Sequence, residues 1–114
     1  MIRKSAPARN VRGFIVANSI RTAQFLIESR LADAARGNAQ ACYELGIAYS
    51  CGTSGVDIDL VEAHKWFNLA ALGGNEEGQA LRAEIAEEMT AREVAEAQRQ
   101  ARAWLTATAP RHVA

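Results

Sequence analysis

From Asn38 onward the chain alternates apolar stripes of helical period with short polar or glycine-rich breaks. Ala41, Leu45, Ala48 and Tyr49 recur at helical spacing, which predicts a helix capped by Asn38 and running to about Cys51. Gly52–Val56 (GTSGV) is a turn cluster. Asp59 then caps a second helix, LVEAHKWFNLAAL, and Glu62 three positions on makes a variant of the capping box. Its stripe is Ala63, Trp66, Phe67, Ala70 and Ala71, and Gly73-Gly74 ends it. Asn75 opens a third helix, EEGQALRAEIAEEM. Thr90 and Glu93 open a fourth that is predicted to run to about Thr106, with Val94, Ala97, Ala101, Trp104 and Leu105 on one face. Ahead of Asn38, the residues Ile20, Ala23, Phe25, Leu26, Ile27, Leu31, Ala34 and Ala35 predict a further helix from about Ser19 to Arg36. Gly13–Ala17 (GFIVA) either extends that helix backward or leads into it as extended chain. Connections this short make successive helices antiparallel neighbours.

Composition agrees with an all-α chain. The 114 residues suffice for one domain. Aromatics are only 6%, so the core must lean on alanine, the best helix former. The two prolines, Pro7 and Pro110, lie near the ends and leave the middle free to be helical. A β-sandwich, a collagenous chain and an acidic disordered tail are excluded. The formal net charge of +0 hides an asymmetry. Residues 1–12 carry Arg3, Lys4, Arg9 and Arg12 with no acid, which is +4 and leaves −4 for the rest. The segment reads as a basic disordered tail ahead of a single domain over 13–107, with 108–114 a second disordered tail. A basic tail can touch nucleic acid or anionic lipid. A solvated terminus is the expectation here, and no nucleic-acid partner is expected. GFIVA is too short for a signal peptide, and no run approaches the ~20 apolar residues of a membrane span. These readings make a cytoplasmic protein the expectation.

Candidate chemistry is sparse. Cys42 and Cys51 lie on one predicted helix, about 13 Å apart at ~1.5 Å per residue, beyond the ~7 Å a disulfide allows. Cys42, Cys51, His64 and His112 show no zinc-ligand spacing, and both cysteines read as buried apolar residues. His64 has no nucleophile beside it and is expected to be a partly exposed structural histidine. The carboxylates Glu84, Glu87, Glu88, Glu93 and Glu96 form a solvated acidic face rather than an acid–base or cation site. Gly73-Gly74 lacks the Lys-Ser/Thr partner of a phosphate loop. Arg99 and Arg102 beside Trp104 could stack on nucleic acid but lack a basic stripe. No catalytic residue, cofactor or metal ligand is expected.

An internal repeat is visible. Gly37-Asn38 recurs as Gly74-Asn75 and Ala34 as Ala71, a period of 37 residues. Periods of this size built from helix–turn–helix units mean an α/α solenoid. The second copy decays quickly, since Leu45 aligns with Arg82 and Tyr49 with Ala86. The expectation is therefore about five antiparallel helices, with one complete unit over 34–74 and closing helices over 75–106.

The unit resembles the Sel-one-like repeats, relatives of the tetratricopeptide repeats. The resemblance rests on Ala34, Gly37, Ala41, Leu45, Gly46, Tyr49, Gly52, Gly55, Val56, Asp59, Ala63, Trp66, Ala70, Ala71 and Gly74 in the family's spacing, and it covers residues 31–105. Two residues separate Gly52 from Gly55 where the family usually has one. Gly78 stands where the family's closing segment usually has alanine, which is expected to weaken the third helix near its start. The resemblance implies a TPR-like superhelix acting as a non-enzymatic adaptor for an unidentified protein partner. Helical solenoids bind through the concave face made by the first helix of each pair. Here the stripe offset from the core one is Gln40, Tyr43, Ile47 and Ser50, the candidate protein-binding residues. The N-terminal helix carries Ile20, Phe25, Leu26, Ile27 and Leu31 over more than one face, which makes it the candidate for a homodimer. Some bacterial members of the family are linked to β-lactam hydrolysis, but those are cysteine-rich secreted chains, and this chain has no Ser-x-x-Lys. Lys4 and Lys65 are the only lysines beside eleven arginines, a bias that fits a GC-rich bacterial genome.

Overall fold

The computed structural model describes residues 21–113, with side chains as far as Ala109. The described residues form five helices and no strand: α1 (residues 21–35), α2 (Ala39–Cys51), α3 (Leu60–Leu72), α4 (Glu76–Ala86) and α5 (Ala91–Val113). The chain is all-α there. The basic segment 1–12, GFIVA and Ile20 lie outside the described residues.

Local chemistry sets the helix starts. Asn38 accepts from the Ala41 amide at 3.0 Å and Asn75 from the Gly78 amide at 2.6 Å, each supplying an orphan donor of the first turn. Thr90 and Glu93 form the full reciprocal box: the Glu93 amide donates to Thr90 Oγ1 at 3.1 Å and the Thr90 amide to Glu93 Oε1 at 2.8 Å. Asp59 makes only half of one. It accepts from the Glu62 amide at 3.1 Å, while the Glu62 carboxylate turns instead to Lys65 and to the Trp66 indole. Gly37 and Gly74 hold φ of 91° and 94°, the left-handed conformation that glycine adopts without strain. The repeat in sequence is thus a repeat of two identical helix-to-helix turns.

α3 is the central helix and packs on α2, α4 and α5. α2 and α3 run antiparallel, since a Cβ built on Gly73 at the end of α3 would sit 2.8 Å from that of Ala39 at the start of α2. Between them Trp66, Leu45 and Ala63 are at most 2% exposed. The Trp66 ring meets Trp104 of α5 edge-on, centroids 4.9 Å apart, and its indole N–H donates to Glu62 at 3.1 Å, so the buried polar atom is satisfied. Ile27 and Leu31 of α1 pack on the same cluster, one helical turn apart.

Phe67 anchors a second cluster with Ala63 and Ile85, and Ile47, Leu81 and Met89 pack around it. Gly46 exists for this ring: a Cβ there would lie 2.5 Å from Phe67. Tyr49 is half-buried at the margin of both clusters.

Several expectations are corrected. Gly78 is buried, and a Cβ would stand 2.9 Å from the Ala70 Cβ and 3.2 Å from the Phe67 carbonyl oxygen. The missing side chain therefore lets α4 approach α3, and the loss of helix propensity is the lesser effect. His64 is 3% exposed rather than partly exposed, and Arg82 of α4 lies close enough to depress its pKa. Cys42 is buried but Cys51, at the end of α2, is exposed, and both thiols are free. α5 runs to Val113 rather than ending near Thr106, and Thr108, on the segment expected to be a tail, is 5% exposed with its hydroxyl donating to the Trp104 carbonyl at 2.9 Å.

Candidate functional site

Three of the four candidate binding residues share one concave surface. Gln40, Tyr43 and Ile47 of α2 line a groove of about 330 Å³ together with Glu44, Arg30 of α1, and Thr53 and Ser54 of the following loop. Residues 40, 43, 44 and 47 recur every three or four positions, so the local cause is helical geometry. Ser50 is not part of the groove; its hydroxyl donates to the Ile47 carbonyl at 3.1 Å within α2.

The groove has an apolar floor and a hydrogen-bonded wall. Tyr43 and Ile47 are half-buried against the Phe67 cluster, with the Tyr43 and Phe67 rings tilted at 6.0 Å. They are therefore partly core, and only their outer edges are offered to a ligand. Arg30 crosses from α1 to pair with Glu44 at 3.0 Å and to donate to the Ser54 hydroxyl at 3.4 Å. Gln40 donates to the other Glu44 oxygen at 3.4 Å, and Asn75 to Gln40 at 3.5 Å. Sequence reasoning missed Arg30, Glu44 and Ser54. Opposite charges fourteen positions apart, on helices whose relative register is not known, carry no local signal. Ser54, between Gly52 and Gly55, takes φ of 57°, lines the groove and accepts from Arg30.

The self-association candidates divide. Ile27 and Leu31 face the core, whereas Phe25 is 67% and Leu26 38% exposed. Ile20 is outside the described residues.

A second, more apolar groove of about 210 Å³ lies between the ends of α1 and α3, the start of α2, and α5. Cys42, Leu69 and Trp104 line it, with the exposed Leu72 and Leu105 at its margin. Burial pushes the Cys42 thiol up to about 11, so it is protonated and unreactive at neutral pH. Of the acidic run, Glu84, Glu87, Glu88 and Glu93 are exposed. Hydrogen bonds from Arg99 and Gln100 hold the Glu96 carboxyl down at about 2. No group of three or more His, Cys, Asp or Glu among the described residues is placed to hold a metal ion. No described helix is long and apolar enough to cross a membrane.

Compared with known proteins, the chain matches no family model, no curated protein and no solved structure.

Proposed function

We propose that the chain is a non-enzymatic protein-binding module, an α/α solenoid fragment of the Sel-one-like kind, that takes its partner in the groove of α2. The observation that carries the reading is the convergence of Gln40, Tyr43 and Ile47 on one concave surface with Arg30 and Glu44. The 37-residue repeat of capped turns, and the packing of α3 on α2, α4 and α5, support the solenoid description. The test is affinity capture from the source cell using wild type beside Gln40→Arg with Thr53→Arg. Both residues are exposed, so the pair adds bulk and charge to the groove without touching the core. Specific partners should be lost at an unchanged melting temperature. Equal capture by the variant moves the binding surface elsewhere. If wild type captures nothing and the purified chain turns over a small substrate, the adaptor reading fails.

Self-association through the exposed Phe25–Leu26 edge of α1 is the second part of the proposal, and is tested below.

A further inference from the structure

We propose that His64 is an acid-sensitive latch on α4: protonation of its imidazole opens the α3–α4 seam while α2 and α3 stay folded. His64 is 3% exposed, and its Nδ1 is buried without a hydrogen-bond partner. A buried imidazole in this position is tolerable while neutral and costly once charged. The seam also brings a cation to it. Arg82 of α4 reaches α3 and donates to Asn68 Oδ1 at 2.6 Å, one turn along from His64. Both burial and the Arg82 charge, in that order, press the His64 pKa below its usual 6.5.

Among the described residues, Arg82 is the charged group whose field shifts His64, and the carboxylates Glu84 of α4 and Glu87 and Glu88 just beyond it are exposed. On α3 itself, Glu62 is engaged by Lys65 at 3.2 Å and by the Trp66 indole. The residues that α2 buries are uncharged, its Cys42 thiol being neutral. The buried residues of α5 that meet α3 include Ala97 and Ala101, while Glu96 is held by Arg99 and Gln100 of its own helix. The charge that α4 presents to the added proton is thus a like one, that of Arg82.

α4 is also lightly held. It buries only Gly78 and Ile85, against six buried residues on α3 and five on α2. Its closest packing depends on the absence of a side chain at Gly78 rather than on apolar area. Separation of α4 withdraws Ile85 and Leu81 from Phe67 and loosens the cluster beneath Ile47.

The sign follows from linkage. The folded state binds this proton less well than the open state, so protection is complete above about pH 6.5 and falls as pH drops toward the folded pKa, by up to about tenfold per pH unit for one proton. Hydrogen exchange followed by mass spectrometry reads this directly, with rates corrected for the intrinsic pH dependence and kept above about pH 5, where carboxylates stay ionised. In wild type the α4 amides should lose protection below pH 6.5 while those of α2 and α3 hold. His64→Leu should flatten the α4 profile. Arg82→Gln, which leaves His64 in place, should shrink the acid loss, and it carries the test alone if His64→Leu does not fold. Loss of protection in all helices together overturns the latch, as does an acid response of α4 that survives His64→Leu or is unchanged by Arg82→Gln.

Discussion

Gly78 and Gly46 show how far a single absent side chain can matter. Judged by helix propensity, Gly78→Ala should stabilise by up to ~1 kcal/mol. The structure reverses the sign, because the new Cβ would lie 2.9 Å from Ala70 Cβ and 3.2 Å from a backbone oxygen that cannot move aside cheaply. Overpacking of this kind costs about 1–3 kcal/mol, so a net loss of stability is expected and a urea midpoint measures it. A midpoint that rises shows that α4 does not press on α3 at this point. Gly46→Ala should be worse, since its Cβ would enter the Phe67 ring at 2.5 Å. Residues whose role is local were legible in the sequence: Asn38, Asp59, Asn75 and Thr90 all cap the helices assigned to them. Gly78 and His64 were misread because their role is set by what α4 brings across the seam, and no spacing within either helix encodes that.

Among the elements, α1 turns two adjacent large apolar side chains outward. Ile27 and Leu31 lie one turn apart and face the core, leaving Phe25 and Leu26 outward. That the stripe exceeds one face could be read from the sequence; which residues turn outward could not, because it depends on the angle at which α1 meets α3. Phe25→Glu should leave the melting temperature unchanged, since the side chain is 67% exposed. If α1 mediates a dimer, the same change should turn the sedimenting species at micromolar concentration into a monomer. A wild type that is already monomeric there, and unaffected by Phe25→Glu, removes the idea. The start of α5 offers a cleaner measurement. Thr90→Ala breaks a two-way box and should cost about 1 kcal/mol, read from a denaturant midpoint. No loss would show that the α5 start contributes little to global stability.

At the scale of the whole molecule, stability rests on two aromatic anchors on one helix. Trp66→Ala and Phe67→Ala each delete a side chain at most 2% exposed and should cost about 3–5 kcal/mol. A domain of this size has about 5–15 kcal/mol in all, so either variant should melt far earlier by circular dichroism. An unshifted melting curve for Trp66→Ala would mean that α3 is turned the wrong way. The helix count and the apolar stripe that carries Trp66 and Phe67 were readable from periodicity and caps; that their helix would be the central one was not. The groove was readable only on its α2 side, because Gln40, Tyr43 and Ile47 share a helix while Arg30 and Ser54 arrive from elsewhere.

The unlike burial of the two cysteines gives the molecule an internal clock. Cys51 is exposed and Cys42 is 5% exposed with its thiol held protonated, although both sit on α2. A thiol reagent added to the native protein should label Cys51 at once and Cys42 only when the helices packed around it part. The slow phase then times the opening of the core without denaturant or an engineered probe, and the fast phase provides its own internal standard in the same sample. Ile27→Ala, which weakens the packing of α1 on that core, should quicken the slow phase and leave the fast one as it was.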